Sequence, residues 1–497
     1  MTIVDHTHTG RSALAAVPTD LLIDGTWRPA SDSARMDVIN PATEQVITQV
    51  ADASLVDVQA AVAAAVKAQA PWAATAPRAR SEILYRAYEE MMRRQDDLAL
   101  IMTSEMGKPF AEAKGEVAYA AEFFRWFAEE AVRIDGGFSQ RPDGTSRTMV
   151  LRQPVGPCLL LTPWNFPAAM GSRKMGPAIA AGCTMVLKPA PQTPLTSLAL
   201  AQILQDVGLP KGVLNVVTTS RAAEVIEPVL TGGDIRKLSF TGSTAVGKTL
   251  LAQAAKQVVR CSMELGGNAP FIVMADADMD VAVEAAMQAK MRNMGEACTA
   301  ANRMFVHSSV VDQFASRLAE RMGALKVGNG MDDGVQVGPM IDAASRDKVL
   351  RLAEDAIQRG ARVAGGGNAS GGTGFFVEPT VLTDVKPGSD LLSAEIFGPV
   401  AAIQTFETVD EVLAIANDTE WGLVGYVITQ DVDLAFEMSE RLEVGMIGLN
   451  TGLVSTPSAP FGGIKHSGLG REGGRLGIEE FLDVKYIAMP IRERGRA

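Results

Sequence analysis

FTGSTAVGKT, residues 240–249, is the stretch on which the fold turns. From Gly242 it satisfies G-x-x-x-x-G-K-[ST], the phosphate-cradling loop of nucleotide hydrolases, at every position. KLSF before it reads as a strand and TLLAQAAK after it as a helix, so backbone N–H groups at the helix start are free to meet a phosphate. Three readings follow. A nucleoside triphosphatase needs a Mg²⁺-holding Asp at the end of a neighbouring apolar strand, and FIVMADAD offers Asp276. A dinucleotide pyrophosphate suits the same turn. The third reading is a plain turn whose small residues serve packing.

Outward from this turn, short apolar runs alternate with helical patterns. PCLLLTPW, TMVLKP, GVLNVVT and KLSF read as strands, and the segments between them as helices, with Thr193 as N-cap and Pro194 as first residue of one. The alternation predicts an α/β chain with a parallel sheet covered on both faces. Upstream, LLIDGTWRP reads as a strand pair around a DG turn, and residues 55–73 and 80–107 as two long amphipathic helices. A second strand–helix series begins after MELGGNAPFIVM, and RVAGGGNASGGTGFF reads as a surface loop.

A chain of 497 residues exceeds what one core serves, so two or three domains are expected. The net charge of −12 argues against a nucleic-acid backbone as partner. No run approaches a membrane span, and residues 1–19 lack the pattern of a secretory signal. Four Cys without a CxxC pair suggest reduced thiols in a cytoplasmic protein and no zinc site, hence no metal.

TPWNFP, SFTGST, MELGGNAPF, RNMGEACTAANR, EIFGPV and PFGGIKHSGLGREGG follow one another from Thr162 to Gly474. In this order they resemble the NAD(P)-dependent aldehyde dehydrogenase superfamily, and within it succinate-semialdehyde dehydrogenases most. The resemblance implies that the 242–249 match is a decoy, with Gly242 and Ser243 carrying a dinucleotide pyrophosphate and Lys248 an ordinary helix residue. It implies a Rossmann-like cofactor-binding domain (20–135 and 154–264, with part of 467–481), an α/β catalytic domain (265–466), a small β bridging segment (136–153 and 482–497) that assembles a homodimer or homotetramer, and a flexible leader (1–19).

Aldehyde oxidation needs a nucleophile, because only a tetrahedral adduct has a hydride to give. The resemblance assigns this role to Cys298, the general base to Glu264 and the oxyanion donor to Asn165. Glu296 stands where the family more often has Gln, and its carboxylate would raise the thiol's pKa if the two side chains faced each other. Ala300 replaces a second Cys, so no local disulfide is expected. Trp164, Lys188, Glu395 and Phe397 match cofactor positions. Pro191 stands where NAD-preferring relatives often carry Glu, so NADP is expected as the preferred cofactor with NAD tolerated. Arg173, Arg292 and Ser455 match positions that bind a terminal carboxylate. The expected substrate is therefore a small aldehyde with such a tail: succinate semialdehyde, or glutarate semialdehyde as the alternative, with broad aldehyde oxidation a further one.

Overall fold

The computed structural model describes residues 12–367 and 372–491; the remainder of the leader and of the C-terminal bridging segment lies outside them. From Cys158 to Glu264 the chain alternates strand and helix without interruption. Strands Cys158–Leu161, Met185–Lys188, Leu214–Val216, Lys237–Thr241 and Arg260–Glu264 all pair in parallel. In space they run third, second, first, fourth, fifth. The reversal falls between Cys158–Leu161 and Lys237–Thr241, the place where a doubly wound sheet opens a crevice at its strand C-termini. This is the parallel sheet expected from the alternation, with the Rossmann-like order that the resemblance implies. Its strands are apolar throughout because helices cover both faces, one carrying Trp72, Phe123, Phe124 and Phe127, the other Val58, Val229 and Leu250.

The sheet gains antiparallel edges from Leu21–Ile23 with Thr26–Arg28 on one side and Gly468–Leu469 on the other. Asp24 and Gly25 both have positive φ, 50° and 75°, as a two-residue hairpin turn of matching twist requires. A second sheet of seven strands gathers Ala269–Val273, Ala301–His307, Thr380–Thr383, Val400–Phe406, Val424–Ile428 and Met446–Leu449 in parallel. Its antiparallel edge is Arg362–Gly365, so the first part of the expected 362–376 loop is a strand, and residues 368–371 of that loop lie outside the described ones. Three antiparallel strands, Gly137–Gln140, Ser146–Pro154 and Leu482–Pro490, form a separate exposed ribbon.

One expectation needs correction. Residues 80–107 are not one helix: Pro77–Arg93 and Gln95–Met106 meet at Arg94, whose φ/ψ of −99°/22° leaves the helical region. Thr193 and Pro194 do stand at the N-cap and first position of helix Pro194–Asp206, although the buried Glu105 carboxyl, not the Thr193 hydroxyl, takes the Leu195 and Thr196 N–H groups, at 2.7 and 2.8 Å. Helix Phe110–Glu130, unmarked in the sequence reading, proves central to the site. Among the described residues no helix is long and apolar enough to cross a membrane.

Candidate active site

The crevice at the strand reversal deepens into a cavity of about 260 Å³. Trp164, Asn165, Arg173, Gly242, Ser243, Arg292, Cys298, Glu395, Phe397 and Ser455 all line it. Glu264, Lys188 and Pro191 are not on its wall. Glu264 ends strand Arg260–Glu264 close enough to Cys298 to act on it electrostatically, whereas Lys188 ends strand Met185–Lys188 with Pro191 just beyond.

Cys298 sits on a strained loop. After helix Met279–Met291, Asn293, Met294 and Gly295 take positive φ of 52°, 58° and 80°. Each left-handed non-glycine residue costs roughly 1–3 kcal/mol, so surrounding groups must hold the turn. The Glu112 carboxylate accepts the Asn293 N–H, and Asn293 Nδ2 donates to the carbonyls of Asn165 (3.1 Å) and Glu296 (2.9 Å). Gly295 has to be glycine, since a Cβ there would lie 2.2 Å from the Gly398 carbonyl oxygen. Asn165 Nδ2 joins the same Glu296 carbonyl at 2.9 Å, and buried Lys108 donates to the Asn165 carbonyl at 2.8 Å.

Burial raises the pKa of Cys298, Glu264, Glu395 and Glu296 alike. Burial, then the charge of Glu395, pushes the Cys298 thiol up to about 12, against the lowering effect of Arg173 and Arg292. Burial and the neighbouring Glu472 carboxylate hold Glu264 well above the usual carboxylate range, opposed by Lys174, Arg173 and Arg471. Its Oε2 has no hydrogen-bond partner. Glu395 is raised to about 7 by burial, with the Gly267 N–H at 3.2 Å and Lys348 opposing. Glu296 does not act on the thiol as expected. Its Oε1 accepts the Ile341 N–H at 3.1 Å, and the carboxyl faces that segment rather than Cys298. Burial raises its own pKa well above the ordinary value.

At the far wall, Arg173 is buried with its guanidinium 4.2 Å from the Phe461 ring centre and 3.6 Å from the Glu472 carboxylate. It donates to the Tyr119 hydroxyl and, at 3.1 Å, to Ser455 Oγ. Arg292 lies over the Phe166 and Tyr119 rings, at 4.9 and 5.5 Å, and forms no ion pair among the described residues. Near the cavity mouth, Trp164 and Phe397 meet edge to face with centroids 5.4 Å apart, Phe397 itself at a φ of 57°. Gly242 tolerates no side chain, because a Cβ would lie 2.4 Å from the Phe240 ring.

The hydrolase reading of residues 242–249 fails on geometry. Lys248 Nζ turns to His466 and Glu420, at 3.4 and 3.8 Å. Asp276 belongs to the second sheet's connections, where its carboxylate holds the Thr429–Asp431 turn. Sequence reasoning missed Tyr119, Phe461, Lys348 and Glu472. Phe461 and Glu472 lie inside the quoted PFGGIKHSGLGREGG stretch, which could have marked them. Tyr119 and Lys348 sit on amphipathic helices, where periodicity marks a face but not a chemistry.

A family model described as the aldehyde dehydrogenase family matches residues 27–487. A succinate-semialdehyde dehydrogenase of Paenarthrobacter nicotinovorans is 53% identical over 89% of this chain and 98% of its own. A glutarate-semialdehyde dehydrogenase of Pseudomonas putida is 49% identical over 94% and 97%. The crystal structure of an Escherichia coli NADP-dependent enzyme superposes with a TM-score of 0.95 at 47% identity, covering 97% of this chain and 99% of that one. With a cysteine, an amide donor and a buried carboxyl gathered at the crevice of such a sheet, this chain belongs to the aldehyde dehydrogenase family.

Proposed function

We propose that this aldehyde dehydrogenase acts on a short aldehyde with a terminal carboxylate, succinate semialdehyde above others, with NADP as preferred cofactor and NAD accepted. The observation that carries this reading is the pair of guanidiniums, Arg173 and Arg292, with the Ser455 hydroxyl, in the same small cavity as Cys298. Among the described residues Arg292 has no carboxylate ion-pair partner, so a substrate carboxylate would complete it.

The residues present fit a nicotinamide dinucleotide. The first-turn N–H groups of helix Thr244–Ala255 have no acceptor within the helix, and Gly242 and Ser243 lead into it along the cavity wall. Lys188 forms no ion pair among the described residues, and Pro191 offers no charge to repel a 2′-phosphate. Glu395, Phe397 and Trp164 would hold the nicotinamide end. Bound there, the cofactor supplies the acceptor for the hydride that leaves the substrate carbon.

Cys298 Sγ attacks the aldehyde carbon as the carbonyl π pair moves onto its oxygen, and the thiol proton passes to the ionised Glu264 carboxylate, which returns it to solvent before the hydrolysis step. Asn165 Nδ2 and the backbone N–H of Cys298 stabilise the oxyanion. After hydride loss, Cys298 carries a thioester, and Glu264 takes a proton from the water that hydrolyses it. The raised pKa of Glu264 makes it a stronger base once ionised.

The domain division expected from the resemblance is part of the same proposal, as is assembly into a homodimer or homotetramer through the exposed ribbon. Phe138, Val484 and Tyr486, exposed on its strands, support the latter. Four free cysteines, none in a disulfide, support a cytoplasmic location.

A panel of aldehydes with and without a terminal carboxylate, run with both nicotinamide cofactors, tests the reading. The four-carbon semialdehyde with NADP should give the highest kcat/KM, at least about tenfold above butanal. Equal rates on butanal would refute the tail subsite, and a clear lead for the five-carbon homologue would favour the glutarate reading that the Pseudomonas putida relative suggests.

A further inference from the structure

Resting on the carboxylate reading above, we infer that Tyr119 is the positioning residue that makes the tail subsite accept only hydrogen-bond acceptors. Its helix, Phe110–Glu130, turns Glu112, Glu116 and Tyr119 toward the site at successive turns. Glu112 holds the cysteine loop and Glu116 takes the Ala168 and Ala169 N–H groups that begin helix Pro167–Ala181. Tyr119 is therefore fixed between the element that carries Arg173 and the loop that carries Cys298.

Hydrogen-bond bookkeeping then restricts what the subsite offers. Arg173 has donors only, so the Tyr119 oxygen accepts from it. Arg173 Nη2 also donates to Ser455 Oγ at 3.1 Å, and the Tyr119 and Ser455 hydroxyls bond to each other. Two hydroxyl hydrogens are present and one is used between them. Whichever oxygen donates, one O–H remains for the ligand, while the acceptor sites are filled mainly by Arg173 and by the partner hydroxyl. With Arg292, which forms no ion pair among the described residues, across the cavity, the ligand's end meets mainly donors. A carboxylate satisfies them. A terminal hydroxyl, which also needs an acceptor, leaves its own hydrogen unmatched in a partly desolvated site.

Removing the Tyr119 hydroxyl frees an acceptor site on Ser455 and loosens Arg173. Tyr119→Phe should raise KM for succinate semialdehyde about tenfold with kcat little changed. It should lower kcat/KM for butanal far less than for the semialdehyde, and narrow the preference for the semialdehyde over the four-carbon aldehyde with a terminal hydroxyl by about tenfold or more. Combined with Ser455→Ala, the two losses should be smaller than additive, since they remove one shared arrangement. Equal losses on butanal and semialdehyde, an unchanged preference between carboxylate and hydroxyl ends, or strict additivity would each overturn the inference. The wild-type panel separates the two readings: if the unmutated enzyme shows no carboxylate preference, the function proposed above fails first.

Discussion

Asn165 Nδ2 donates to the Glu296 carbonyl oxygen at 2.9 Å, so the amide proposed to meet the substrate oxyanion also ties down the loop that carries Cys298. One N–H of the amide is used on the loop and the second is left for chemistry. Asn165→Ala should lower kcat by about a hundred- to a thousand-fold, the usual cost of losing one oxyanion donor. Thiol titration of the folded variant distinguishes the two duties. If Cys298 stays as reactive as in the wild type while kcat falls, the amide acts on the oxyanion; if reactivity changes in proportion, it serves the loop alone.

Cys298 is held protonated in the ligand-free site, and its alkylation rate should show this. The thiolate is the reactive form, so the rate follows its fraction and rises about tenfold per pH unit below the pKa. An ordinary thiol levels off past about pH 8.5. For Cys298, pushed up to about 12, alkylation by iodoacetamide should still be climbing at about pH 9.5. Glu395→Gln removes the second-largest cause of the shift and should speed alkylation above about pH 7, where Glu395 carries its charge. A plateau near the ordinary thiol value in the wild type would contradict the electrostatics described here.

Glu296 should leave a mark on stability rather than on the thiol. Its carboxyl is buried, with Oε2 lacking a partner, and its folded pKa is raised by burial. The folded state thus binds this proton more tightly than the unfolded one. Stability contributed at low pH is lost as pH rises above the unfolded glutamate value, by up to about 1.4 kcal/mol per unit. Glu296→Gln cannot ionise, so its unfolding free energy should fall less than the wild type's between about pH 5 and about pH 8. Parallel denaturant titrations at three pH values check the slope; identical slopes would show that the carboxyl ionises freely.

Much of this was legible in the sequence, for a physical reason. Buried parallel strands have to be apolar along their length, so PCLLLTPW and KLSF announce themselves, and the turns between strand and helix need small residues such as Gly242 that a motif can register. What stayed hidden depends on side chains from distant segments converging. Helix Phe110–Glu130 carries an amphipathic pattern like any other, and nothing in its own residues says that Glu112 will hold a loop at Asn293 or that Tyr119 will meet Ser455. The break at Arg94 was equally invisible, because neither Gly nor Pro marks it. Thr193 and Pro194 marked the helix start correctly, but not that a distant buried Glu105 carboxyl, rather than the Thr193 hydroxyl, takes its first free N–H groups.

In the proposed reading, cofactor choice turns on Lys188 and Pro191. Burial lowers Lys188 to about 8, so it is charged at neutral pH and loses its proton as pH rises past that value. If it pairs with a 2′-phosphate, Lys188→Ala should raise KM for NADP about tenfold and spare NAD. The wild-type advantage of NADP over NAD should also shrink above about pH 8, following the loss of charge. Pro191→Glu, which sets a carboxylate where the proposal puts the 2′-phosphate, should move preference toward NAD. Initial rates with both cofactors decide it, and equal effects on the two would assign Lys188 a packing role.

Arg292 provides the sharpest separation between tail recognition and structure. Its guanidinium is held by the Phe166 and Tyr119 rings and forms no ion pair among the described residues, although its charge also opposes the rise of the buried Glu112 and Cys298. The main casualty should be the substrate's own carboxylate. Arg292→Ala is expected to raise KM for succinate semialdehyde by about ten- to a hundred-fold, the range of one charge-assisted hydrogen bond. Butanal, with no tail to bind, should keep its KM within about twofold. Arg292→Lys retains the charge but not the planar fork, and should fall between. Should butanal and the semialdehyde suffer alike, Arg292 supports the cysteine loop it adjoins, and recognition of the tail rests on Arg173 and Ser455.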